Sequence, residues 1–144
     1  MTDAEIDYLA HGLKDVLIPD LAILAEKGGE PAAFFLAVPD IAIPTREIGG
    51  RLFPFGIVRL IRWLKAPTRL RVLTLGVVDE FRNTGIDAAL YVEITRRGLA
   101  RNILHGEFGW MLEDNSAIIR AVEACGAKIT KRYRIYEKAI DGAA

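Results

Sequence analysis

Cysteine is nearly missing from this chain. Cys125 is the only one among 144 residues. No internal disulfide can form, so a reducing compartment, the cytoplasm, is expected. Net charge is missing too: 19 Lys and Arg balance 19 Asp and Glu. That removes any global attraction to nucleic acid or to an anionic surface, and no base-reading motif suggests a nucleic-acid partner. Histidine is confined to His11 and His105, without ligand-spaced partners, so no metal site is expected. No apolar run approaches the ~20 residues of a membrane span. The N-terminal segment carries acids and lacks the apolar stretch of a signal peptide. Internal repeats and low-complexity tracts are absent.

Apolar residues are what the chain has in excess, at 51% with a mean hydropathy of +0.21. That is greasy for a small soluble monomer. It implies a shared interface, a large apolar site, or a missing covering segment; a second copy of the chain is one candidate partner. The length fits one domain over 1–144 with a real core.

Hydrophobic periodicity predicts a helix over residues 3–17, capped by Asp3 and ended by Pro19. LAILAE (21–26) and PAAFFLAVP (31–39) read as antiparallel strands joined by the glycine turn KGGE. Residues 40–54 contain Pro44, Gly49, Gly50 and Pro54 and read as loop. FGIVRLIRWLK (55–65) is an amphipathic helix. LRVLTLGVV (70–78) reads as a buried central strand. A helix is predicted from about Ile86 to Ala100, then a strand, EFGWML (107–112). EDNS caps a helix over 116–125 with Cys125 on its inner side and Gly126 as its stop. KITKRYRIYEK (128–138) alternates like an edge strand. The order implies an α/β fold, a mixed central sheet with flanking helices and at least one parallel pair.

The junction FRNTGID (81–87) turns a strand into a helix. Gly85 permits a sharp turn, the amides of residues 82–87 converge at a helix N-terminus, and Arg82 adds a cation: an anion site. Read alone, the segment is first an ordinary strand-to-helix turn in which Asp87 favours the helix start, because R-x-x-G is very common.

Two stretches, with the element order between them, carry a resemblance. Val77, Asp79, Arg82, Gly85, Ile86 and Asp87 resemble motif A of the GNAT (GCN5-related N-acetyltransferase) superfamily. Asn115, Ile119 and Gly126 match the helix after that family's fifth strand, and the hairpin 21–39 matches its second and third strands. The likeness covers roughly residues 3–138. GGRLFPFG (49–56) and KRYRIYEK (131–138) further resemble a large-insert subgroup of GNAT-like proteins, with the insertion at roughly 40–70.

The resemblance implies an acyl-CoA N-acyltransferase fold, with acetyl-CoA or another acyl-CoA as co-substrate. It implies transfer of the acyl group to a small-molecule amine or peptide acceptor. The family's fourth and fifth strands splay, and backbone groups of Leu75, Val77 and Val78 would hold the pantetheine; Gly76 marks a bulge or a close approach. The loop Arg82, Asn83, Thr84, Gly85, Ile86 and Asp87 would hold the pyrophosphate. Asn115 would touch the cofactor or cap its helix. Three departures stand out. Asp87 replaces a small residue, and its carboxylate repels pyrophosphate unless it points away. Val122 occupies the position of a general-acid tyrosine. The family's first strand and helix have no counterpart, so the fold is shortened at its start or the chain is part of a larger protein. Acyl transfer is the first reading, and these departures motivate the alternative of a non-catalytic module that binds CoA or a partner.

Glu107 and Glu113 are candidate general bases, although a surface carboxylate is the ordinary reading of each. Cys125 reads as a small core residue rather than a nucleophile. Tyr133 and Tyr136 line a site or simply pack. The span 51–71 contains six basic residues and no acid. It reads first as a helix packed on the sheet with solvated arginines. Further readings are a lid over the acceptor and contact with an anionic membrane surface.

Overall fold

A computed structural model describes residues 2–138. The chain divides into two compact units at the Met111/Leu112 junction. The first holds a four-stranded sheet in the order β1-β2-β3-β4, with β1 at Ala22–Lys27, β2 at Glu30–Pro39, β3 at Arg69–Val77 and β4 at His105–Phe108. Helices α1 (Asp3–Leu13), α2 (Ala42–Glu47), α3 (Gly56–Lys65) and α4 (Ile86–Ala100) complete it. The second unit contributes α5 (Ser116–Ala124).

The hairpin turn follows from its glycines. Gly28 at φ 66° and Gly29 at φ 90° supply two successive left-handed residues, which a two-residue turn matched to strand twist requires. β1 and β2 pair antiparallel, as do β2 and β3, while β3 and β4 pair parallel. α4 makes the crossover, as a parallel pair demands.

α4 covers one sheet face. It buries Leu90, Tyr91, Ile94 and Gly98. Phe35 of β2 meets Tyr91 edge-on at 5.9 Å, and Tyr91 meets Phe108 of β4 at 5.9 Å. This aromatic chain ties β2, α4 and β4 into one core. At the C-terminal end of α4, Arg97 donates to the Asp20 carbonyl at 2.9 Å, and Arg101 donates to the Asp20 carboxylate.

On the same helix Arg96 and Arg97 both donate to Glu93 at 2.7 Å. These hydrogen bonds, that of Arg96 foremost, hold its carboxyl at about 2 instead of 4.5. A lowered folded-state value contributes stability above the ordinary value and loses it as pH falls through the folded one. Glu93→Gln is therefore expected to lower the urea midpoint at about pH 6 and to lower it progressively less as pH falls toward about pH 2. Midpoints measured across that window check this; a gap that persists undiminished into acid would refute it.

Several elements differ from the sequence reading. α1 ends at Leu13, not residue 17, and its cap is Thr2, whose hydroxyl accepts from Glu5 N while Glu5 accepts from Thr2 N. α1 buries none of its residues, so no packing extends its last turn. Residues 42–47, read as loop, form α2. Pro44 lies in its first turn, where a missing N–H costs nothing. β4 begins at His105 and ends at Phe108, two residues earlier at its start than 107–112. β3 occupies a central position, yet only Leu70 in it is buried, because β3 outruns β4 and opens onto a cavity. Cys125 is the exposed C-cap of α5, not a core residue. Residues 128–138 form no strand. Alternation makes a strand only where a neighbour completes the ladder, and no strand pairs with this segment among the described residues.

Candidate active site

The site begins where β3 loses its parallel partner. Pairing with β4 runs from Arg69↔His105 to Val72↔Phe108. A last bond, Gly109 N to Val72 O at 3.1 Å, ends it. β3 continues to Val77.

Which amides face the resulting gap follows from the other neighbour. In an antiparallel pair, alternate residues bond the partner and the rest point away. Asp40 N donates to Arg69 O, and Val78 N donates to Ala32 O. A register shift at Leu36/Ala37 changes the parity between these two points. Thr74 and Gly76 therefore bond β2, while Leu75 and Val77 direct their N–H and C=O groups into the gap. Val78 does not share this role: its N–H is used by Ala32, and its carbonyl accepts from Phe81 N at 2.9 Å. The close approach at Gly76 comes from within the sheet. A Cβ there would lie 2.3 Å from the Phe34 ring, which covers it from the paired position on β2.

β3 leads directly into the loop. A short 3-10 turn at Asp79–Phe81 precedes Arg82, and α4 starts at Ile86 behind Gly85, left-handed at φ 82°. Asn83 is also left-handed, at φ 60°. Arg82 N donates to Asp79 O, and its side chain pairs with the Asp79 carboxylate at 2.7 Å. The Thr84 hydroxyl donates to Phe81 O at 2.6 Å. Ala89 N is the donor to Gly85 O, so the amides of Ile86, Asp87 and Ala88 precede the helical ladder and open outward, as at any helix start. Asp87 is half-buried in the first turn of α4.

On the sheet face opposite α4 lies a cavity of about 690 Å³. Leu13, Val16, Val38, Pro39, Ile41 and Leu73 form apolar walls, and Gly49 and Gly50 lie at its border. Its charged groups are Arg46, Asp40 and Arg71. Asp40, 2% exposed, accepts from Arg71 at 3.3 Å and from Ala42 N at 3.2 Å. Arg71 also donates to Glu107 at 3.2 Å. Glu107 thus stands one residue before β4 ends, bonded through Arg71 to the cavity floor. Sequence reasoning missed Asp40 and saw Arg71 only as part of a basic run. Their one signal was a polar residue just after an apolar strand.

In the second unit, Asn115 caps α5 by accepting from Ile118 N at 3.3 Å. Glu113 pairs with Arg132 at 3.3 Å, both exposed. Val122 is buried. Tyr133 and Tyr136 are exposed.

A solved aminoglycoside N-acetyltransferase, AAC(6')-Iy in complex with the bisubstrate analogue CoA-S-monomethyl-acetylneamine, superposes with a TM-score of 0.63 at 18% identity. The match covers 97% of this chain and 82% of that one. The fold is that of the GNAT acetyltransferases. Among curated sequences, protein YghO of Escherichia coli (strain K12) is 34% identical over 145 residues, spanning 96% of this chain and 37% of the relative. The bacterial ceramide synthase of Caulobacter vibrioides (strain NA1000 / CB15N) is 30% identical over 145 residues, spanning 96% and 38%. The chain spans less than two fifths of the length of these relatives. No protein-family model matches it. On this GNAT fold, Leu75, Val77 and the 82–87 loop lie consecutively along β3 and into α4, whereas Val78 is spent inside the sheet and its turn.

Proposed function

We propose that the chain binds acyl-CoA and serves in the transfer of its acyl group to an amine. The gap beside β3 carries this reading. Leu75 and Val77 present backbone groups there that no strand pairs among the described residues, at the spacing an extended amide chain such as pantetheine would match. The strand then delivers a diphosphate to the outward amides at the start of α4. The half-buried Asp87 leaves those backbone donors usable, and Arg82 supplies a cation already balanced by Asp79.

In such a transfer the amine nitrogen bonds the thioester carbonyl carbon, the carbon–sulfur bond breaks, and the amine's surplus proton goes to a base. A Leu75 or Val77 amide would steady the carbonyl oxygen as charge develops. Glu107 is the candidate base, with Arg71 fixing its position. The sequence has Val122 where the family resemblance expects a general-acid tyrosine, so the thiolate leaves unassisted or takes a proton from water; an ordinary thiol near pKa ~8.5 is a fair leaving group. The apolar cavity, together with the relative named a ceramide synthase, supports a long-chain amino alcohol as acceptor. The alternative, binding without turnover, draws on Val122 and on Asp87.

Calorimetric titration with acetyl-CoA and longer acyl-CoAs tests the reading, and the absence of binding to folded chain would end it. Arg82→Glu should weaken binding by about tenfold; unchanged affinity would remove Arg82 from the site. Assay of an amine panel that includes a long-chain amino alcohol separates the two forms. Acylated product establishes transfer, and binding with no product establishes the non-catalytic module.

A further inference from the structure

We infer that the segment from Arg51 through α3 is a docking surface for an anionic lipid bilayer. This stands independently of the acyl-transfer reading. Three observations carry it.

The first is apolar exposure in an unusual place. Phe53 is 89% exposed and Phe55 80%, side by side ahead of α3. Leu52, Ile57, Val58 and Ile61 are also exposed. α3 turns Leu60, Trp63 and Leu64 partly toward the protein, so the outer half of its apolar stripe, continuous with the two phenylalanines, faces outward.

The second is charge. The whole chain is neutral, yet the segment from Arg51 to Lys65 holds four basic residues and no acid. Arg59 is neutralised by Glu47 at 2.6 Å. Arg51, Arg62 and Lys65 meet no carboxylate at ion-pair distance among the described residues. On a helical wheel Arg59, Arg62 and Lys65 take the flank beside the apolar stripe. An anionic lipid surface complements both at once: phosphates meet the basic flank, and the aromatic side chains enter the headgroup boundary.

The third is position. The segment follows Gly49 and Gly50, which border the apolar cavity. A membrane bound here lies on the same α2–α3 side of the first unit as the cavity, where an apolar ligand would enter from lipid rather than from water.

The test is co-sedimentation of the chain with phosphatidylglycerol/phosphatidylcholine vesicles and with pure phosphatidylcholine vesicles, at low and high salt. Binding to the anionic vesicles is expected, much reduced by salt and weak without phosphatidylglycerol. A triple variant, Arg51→Glu, Arg62→Glu and Lys65→Glu, should lower partitioning at least about tenfold. Phe53→Ser with Phe55→Ser should lower it while keeping the salt dependence of what remains. All five positions are exposed, and circular dichroism of each variant verifies folding. Equal sedimentation with both vesicle types, or none with either, would overturn the proposal. So would a chain that ignores vesicles and associates with itself until the phenylalanines are replaced, since the patch would then be an interface between copies.

Discussion

Leu75→Pro is expected to leave the sheet standing and to lower acyl-CoA affinity by about tenfold or more, whereas Thr74→Pro is expected to destabilise the fold by about 3 kcal/mol. The two positions are neighbours on one strand, and a proline removes one N–H from either. The difference lies in where that N–H points. Thr74 pairs with Leu36 at a position bonded to β2, so its loss breaks a ladder bond and strands a carbonyl inside the sheet. Leu75 pairs with Phe35 at a position whose amide turns toward the gap left by β4. A proline is tolerated in a strand when its missing N–H faces an open side. Urea unfolding and calorimetric titration of both variants measure the contrast. If Leu75→Pro binds acyl-CoA like the parent, the gap is not the cofactor site.

Phe35→Ala should cost about 3–5 kcal/mol, a large part of the 5–15 kcal/mol typical of a domain. Phe35 is 1% exposed and stands at the head of the aromatic chain to Tyr91 and Phe108. Truncation would leave a cavity between β2 and α4, and α4 cannot settle to fill it. Its far end is held to Asp20 by Arg97 and Arg101. The comparison is Leu24→Ala on β1, where the side chain is 62% exposed; that change should stay within about 0.5 kcal/mol. Urea midpoints report both. A cost below about 1 kcal/mol for Phe35→Ala would mean the core is not centred there.

Local signals in the sequence were reliable wherever one residue's backbone preference decided the outcome. Gly28 and Gly29 dictated the hairpin, Gly85 the start of α4, and Asn115 the cap of α5. Periodicity placed α3 and α4 within a residue. Signals failed where a neighbour was needed. Residues 128–138 alternate but have no strand to pair with among the described residues. Cys125 follows an apolar stripe by helical count, yet it falls on the exposed cap residue. Pro44 read as a breaker because its place in a first turn depends on a helix start that no capping side chain announced.

The candidate site divides in the same way. The 82–87 segment was legible as a strand-to-helix turn, because Gly85 supplies the left-handed residue ahead of α4. Asp40 and Arg71 were not. They stand far apart in sequence and meet only because β2 and β3 lie side by side.

The sequence by itself determined the order of elements from β1 to α5 apart from α2, the turns and the place where β3 hands over to α4. Only the tertiary structure decided that Leu75 and Val77, and not Val78, open toward the gap. The register shift opposite Leu36 and Ala37 reverses which amides face β2. That reversal arises from pairing between two strands, so it is written in neither one alone.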